Sequence, residues 1–299
     1  MRKYIMLTSL VAILSLSCKN IETNNDQNTN KVPSDTTADQ KNSTVEIREK
    51  LDGIQYKMMK GKTWLKANEK NEAALQIVMD ANRTDKLNLA KMDSIIVPNK
   101  LDGKREDYLP FPLQVQALKN VDKIIFFSYP TQTFAAYKNG KLAYTGPTNM
   151  GREKDPTPTG LFFTNWKAEK TNSTFNDEWE LKWNFNIENK LGVGFHEYQL
   201  PGYPASHSCL RLQENDAKYL YEWANQWVLA DKENVKAKGT PVIVFGEYPF
   251  KGKKPWLQLL TTPKSFEISE DEITQLVAPK MEMILKEQNN SKLVAQNKE

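Results

Sequence analysis

Gly194-Phe195-His196-Glu197-Tyr198-Gln199-Leu200-Pro201-Gly202-Tyr203-Pro204-Ala205-Ser206-His207-Ser208-Cys209-Leu210-Arg211-Leu212 holds both histidines of a 299-residue chain and one of its two cysteines. Cysteine attacks as the thiolate, and a free thiol pKa of about 8.5 makes a neighbouring base or positive charge necessary at neutral pH. His196 and His207 bracket the connection that precedes Cys209, and spacing alone lets either supply the base. Arg211 adds a cation suited to a substrate carboxylate. Glycine and proline shape the loop between them, leaving backbone N–H groups to face a developing oxyanion. Two other readings stay open at this point: a zinc site, for which no further Cys or His is at hand, and an inert buried cysteine with incidental histidines.

The surroundings of this stretch read as β structure. Lys123-Ile124-Ile125-Phe126-Phe127 is a short apolar run suited to a buried strand. Thr133 to Tyr144 reads as a hairpin around Asn139-Gly140, the pair that type I′ turns favour. Pro156-Thr157-Pro158-Thr159-Gly160 is a rigid turn leading into the strand Leu161-Phe162-Phe163. Gly192 to His196 and Val242 to Phe245 predict two further strands. Between them a helix is expected from Glu214 to about Val228, with Ala217, Leu220, Tyr221, Ala224 and Val228 on one face. In the tail, Ser269 and Glu272 make a capping box, Ile268 and Ile273 its staple, and Pro279 a kink or break.

The N-terminus reads as an address. Met1-Arg2-Lys3 is a positive n-region, and Tyr4 to Leu16 is an apolar run too short to span a bilayer. Ser15-Leu16-Ser17-Cys18 resembles a lipobox, which implies a leader over 1–17 and lipid on Cys18. An ordinary signal peptide is the alternative. Lys19 to Thr44 is polar and lacks aromatic residues, so a flexible tether over 18–45 is expected. Both cysteines thus have uses other than a disulfide. Over 46–112 a small α/β module is predicted: Tyr56 to Trp64 resembles the opening strand and turn of a LysM module, Glu72 to Asn82 is helical, and Ser94 to Pro98 looks like its closing strand. The alternative is an unrelated helical subdomain.

Ser206-His207-Ser208-Cys209-Leu210-Arg211 resembles the Ser-His-Gly-Cys-x-Arg/Asn signature of the YkuD-type L,D-transpeptidase catalytic domain. His196, the Leu200-to-Ala205 linker and the Thr157-to-Gly160 turn fit the same family, from about Val121 to Tyr248. The resemblance implies a mainly β catalytic domain over 121–250, a YkuD-like β-sandwich with one or two helices, followed by a C-terminal helical extension over 251–299. It also implies roles: Cys209 as nucleophile, His196 as general base, His207 and Ser208 as shapers of the pocket and oxyanion site, and Arg211, Ser206 and Tyr203 on the substrate side. Tyr198 and Trp166 are further aromatic candidates, with core packing as the alternative. Ser208 departs from the signature glycine; if that position needs a positive φ, serine there costs on the order of 1 kcal/mol or more.

A net charge of +4 implies no nucleic-acid partner, and Lys251, Lys253 and Lys254 read as solvated surface. No metal or organic cofactor is expected. By resemblance the partners are peptidoglycan stem peptides; the lipobox implies a lipid-anchored, periplasmic protein of the cell envelope, and Lys19 after the anchor points to the outer membrane. The alternatives to a transpeptidase are an L,D-carboxypeptidase using water and a non-catalytic wall-binding lipoprotein. A papain-like protease fits poorly, because there the nucleophile precedes its histidine by a long interval.

Overall fold

The computed structural model describes residues 48–173 and 180–296. The expected leader, the lipid-bearing Cys18 and the tether over 18–45 lie outside the described residues.

The N-terminal module runs strand, helices, strand. Strand β1 (Tyr56–Lys60) leads into α1 (Gly61–Asn68), α2 (Glu72–Ala81) and α3 (Lys86–Leu89), then β2 (Ser94–Pro98), which pairs antiparallel with β1 from Tyr56↔Pro98 to Lys60↔Ser94. Asn71 caps α2 by accepting the Ala74 N–H at 3.1 Å, and Asp85 caps α3 by accepting that of Asn88 at 2.8 Å. Ala74, Leu75 and Val78 of α2 close a small core with Trp64, Leu89, Ile95 and Val97. Helix α1 occupies residues that sequence reading left as a turn; Trp64 supplies its buried anchor.

The residues that follow build two sheets. Strands β3 (Ile124–Ser128), β4 (Thr133–Lys138), β5 (Lys141–Pro147) and β6 (Gly160–Phe163) join the late strand β13 (Pro241–Phe245) in the order β5-β4-β3-β13-β6. Asn139 and Gly140 both have positive φ, +50° and +76°, as the expected hairpin turn requires. The second sheet contains β7 (Lys167–Asn172), β8 (Glu180–Glu188), β9 (Val193–Glu197) and β10 (Leu210–Leu212), in the order β10-β9-β8-β7. Strands β7 and β8 were not foreseen: β7 carries little apolar alternation among its Lys, Glu and Asn residues, whereas β8 does alternate, with Leu181, Trp183, Phe185 and Ile187 set between polar residues, a period-2 pattern that was legible as a strand. A bulge between Lys182 and Phe185, with Trp183 at φ +52°, bends β8.

Side-chain alternation along β3 explains its burial on both faces. Ile125 and Phe127 point between the sheets, meeting Phe185, Phe195, Leu210 and Leu212. Ile124 and Phe126 point outward into a second core with Ile268, Ile273, Val277 and Ile284. The C-terminal extension therefore covers the outer face of the larger sheet. It consists of α5 (Glu270–Val277) and α6 (Met281–Gln296), separated by a turn containing Pro279 as expected. Ser269 accepts the Glu272 N–H at 3.0 Å, and the staple residues Ile268 and Ile273 are both buried.

Helix α4 (Glu214–Trp223) is shorter than predicted. Ala224 is extended (ψ 148°), and Asn225 is tied to Thr240 through both its N–H and its carbonyl. Val228 belongs instead to the small ribbon of β11 (Val228–Leu229) and β12 (Val235–Ala237). Tertiary hydrogen bonds ended a helix whose apolar spacing would have let it continue.

The module is joined to the two-sheet region by a buried polar network. Arg105 donates to Asp80 of α2 at 2.6 and 2.9 Å and to Asp216 of α4 at 2.5 and 2.8 Å, and Tyr144 of β5 donates to Asp216 at 2.9 Å. Burial alone would lower the guanidinium's pKa, but the two carboxylates outweigh it and hold Arg105 well above its ordinary value. Burial pushes the Asp80 carboxyl up.

Candidate active site

Parallel pairing of β9 with β10 sets Arg211 beside His196 and Leu212 beside Glu197. Because alternate residues leave a strand on one face, Cys209 and Arg211 project together. With His196 they line one cleft of about 420 Å³, which His207, Ser206 and Tyr198 also border. The β8–β9 turn, where Lys190 and the 69% exposed Leu191 stand, also lines it.

The loop between the two strands is held from outside. Leu200 N–H donates to Asp85 at 2.6 Å, and the Thr84 hydroxyl donates to the Leu200 carbonyl at 2.7 Å. Gly202 and Tyr203 N–H both donate to Asn149 Oδ1, at 3.0 and 3.3 Å. Ala205 and Ser206 N–H share the Met150 carbonyl. The N-terminal module and the residues after β5 thereby set where the signature begins.

Two groups carry the electrostatics. His196 is buried, and its Nδ1 lies 2.8 Å from the Glu197 carbonyl. A carbonyl only accepts, so Nδ1 carries the proton and Nε2 keeps its lone pair. Burial holds the imidazole down at about 4, against a lesser opposing effect of the Glu197 hydrogen bond. Cys209 is partly exposed on the cleft wall, with Sγ 3.9 Å from the Gly192 carbonyl. Burial pushes its thiol up; the Gly194 N–H and Arg211 pull the other way. At neutral pH Cys209 is therefore a thiol and His196 a neutral imidazole.

The remaining predicted residues take varied places. Arg211 packs its guanidinium 4.5 Å over the Tyr198 ring. His207 Nε2 stands 4.0 Å from Asp155, which Arg152 holds at 2.5 Å. Ser206 borders the cleft, but its hydroxyl donates to the Cys209 carbonyl, so it braces the loop rather than offering a free donor. Tyr203 is 48% exposed and off the cleft wall, with the Lys254 ammonium 5.6 Å from its ring. Lys254 itself is half-buried between Tyr203 and Trp256, unlike Lys251 and Lys253, which are exposed as expected. Trp166 precedes β7 and is also off the wall. Ser208 has φ +78°, the left-handed value the signature glycine would tolerate. Asn149, Thr84 and Asp85 escaped sequence reading; they act through fold contacts and lie in no motif.

Residues 122–244 match the family model of the L,D-transpeptidase catalytic domain, YkuD. This segment is a YkuD L,D-transpeptidase catalytic domain. Solved structures similar to the chain include an L,D-transpeptidase from Stackebrandtia nassauensis (24% identity, 43% of this chain and 58% of that one, TM-score 0.36). Another is an L,D-transpeptidase from Mycobacterium smegmatis (20%, 42% and 59%, TM-score 0.34). A mutant L,D-transpeptidase from Enterococcus faecium is similar over 42% of this chain and 50% of its own (26% identity, TM-score 0.33). The chain spans less than two thirds of the length of these structures. No curated protein matches the sequence. The YkuD domain thus contains both sheets and the cleft, and the N-terminal module and C-terminal helices flank it.

Proposed function

We propose that the chain is a cysteine-dependent L,D-transpeptidase acting on peptidoglycan stem peptides in the cell envelope. The observation that carries this reading is the cleft in which Cys209, a tautomer-fixed His196 and Arg211 meet within a YkuD domain. The donor's third residue presents its carbonyl to Cys209. The sulfur bonds to the carbonyl carbon, the π pair moves to oxygen, and the thiol proton passes to His196 Nε2. As the tetrahedral species collapses, the C–N bond breaks and the departing D-alanine amine takes that proton. This leaves a thioester, so one difficult amide exchange becomes two easier steps. An acceptor amine then attacks, gives a proton to His196, and expels the thiolate, which the same proton restores to the thiol. N–H groups of the 207–209 turn face the oxyanion, and Arg211 takes a substrate carboxylate.

Water as acceptor would make the activity that of a carboxypeptidase. The strained Ser208 favours a second reading, a non-catalytic wall-binding lipoprotein, in which the module over 56–98, two paired strands with three helices between them, would take the LysM-like role. Intact-protein mass spectrometry after incubation with a tetrapeptide stem or a carbapenem separates these. The transpeptidase gains the acyl mass, Cys209→Ala does not, and an unmodified wild type at high probe concentration refutes catalysis. Muropeptide products identify the acceptor.

A further inference from the structure

The turn beginning at Pro156 closes against the segment that carries Cys209. Gly151 allows the approach: a Cβ there would stand 2.3 Å from the Asp155 carbonyl oxygen and 2.4 Å from the Thr157 nitrogen. The Thr157 hydroxyl enters this junction with both its roles used. It accepts the Gly151 N–H at 2.8 Å and donates to the Ser208 carbonyl at 2.8 Å. Thr157 N–H donates to the Tyr129 hydroxyl at 3.2 Å, and that hydroxyl donates to the Gly151 carbonyl at 2.5 Å. Thr157 and Tyr129 are buried, so water competes little for these bonds.

The Ser208 carbonyl shares a peptide plane with the Cys209 N–H. In a trans peptide the two point in opposite directions. The bond from Thr157 therefore turns the Cys209 N–H away from the 151–157 turn. Ser208, at φ +78°, has a backbone preference for relaxing out of this arrangement, so the plane needs an outside hold.

We propose that Thr157 is a positioning residue whose hydroxyl, by fixing the 208–209 peptide plane, aims the Cys209 N–H at the oxygen that becomes negative during acylation. The inference rests on Cys209 being the nucleophile and adds what orients the oxyanion donor. Losing an oxyanion donor outright lowers turnover about 10²- to 10³-fold; loosening one lowers it less, by about tenfold.

The test uses the full-length protein and a carbapenem as acyl donor, with Thr157→Val removing the hydroxyl and Thr157→Ser keeping it. For Thr157→Val the acylation rate constant falls about tenfold, while the half-saturating concentration stays within about twofold of wild type. The infrared stretch of the acyl carbonyl moves to higher wavenumber as its hydrogen bond weakens. Thr157→Ser restores both. A Thr157→Val protein that acylates at the wild-type rate with an unshifted carbonyl, even if less heat-stable, overturns the proposal. Should Thr157→Val not fold, a folded Thr157→Ser with a shifted carbonyl overturns it, and one with the wild-type frequency upholds it. A wild type that accepts no acyl group overturns this inference and the transpeptidase reading together, whereas the variant outcomes bear on Thr157 alone.

Discussion

His196 makes the sharpest residue-level prediction. Its folded pKa, about 4, lies below the ordinary 6.5, so between those values the unfolded chain binds more protons than the folded one. Stability contributed by the buried neutral ring is complete above about 6.5 and is lost as pH falls to about 4, an effect on the order of 3 kcal/mol. Urea unfolding at pH 7 and pH 4.5 should show this loss in wild type and much less of it in His196→Gln. The acid limb of kcat/KM should likewise lie near 4, and a limb near 6.5 would contradict a buried base. Ser208 supplies a second residue-level test. Replacing it by glycine relieves the positive φ, and the greater freedom of the unfolded chain offsets part of that gain. A net stabilisation of up to about 1 kcal/mol is expected in thermal melts. The sequence located this strain through one departure from a signature; the φ of +78° came only from the fold.

Among the elements, α2, α4 and the β5 edge meet through Arg105. Removing it as Arg105→Ala leaves Asp80 and Asp216 as buried carboxylates facing each other without a cation. A loss of about 3 to 5 kcal/mol is expected by chemical denaturation. Asp80→Asn with Asp216→Asn in the same background should recover part of it, and no recovery would show that packing rather than charge is at stake. The outer face of the larger sheet gives a second element-level test. Ile273→Ala empties a site that is 0% exposed, against Phe126 and Ile243 of that core, and should cost about 2 to 5 kcal/mol. An exposed neighbour such as Glu272→Ala offers no such burial. The strands β3 and β13 were legible because continuous apolar runs need cover on both faces. The partner providing that cover, the C-terminal helices, was not legible, since a helix's apolar face does not name what it meets.

At the scale of the whole molecule, residues 48–173 and 180–296 share polar and apolar contacts across all three predicted segments. Unfolding followed by calorimetry should therefore show one transition, with no separate melting of the 56–98 module. A resolved early transition for that module would contradict the coupling through Arg105 and the loop contacts of Thr84 and Asp85. The sequence by itself determined the cysteine–histidine–arginine grouping, the hairpin at Asn139-Gly140, the Ser269 cap and the break at Pro279. Each depends on residues within about twenty positions of one another, or on a backbone preference that one or two side chains set. Only the tertiary structure decided where α4 stops, that β7 exists, and that Ser206 braces the loop while Tyr203 stays off the cleft. It alone also decided which residues hold the Leu200–Ala205 loop. These outcomes depend on hydrogen bonds and packing between residues far apart in the chain, whose pairing is set by how strands and helices are stacked rather than by any local pattern.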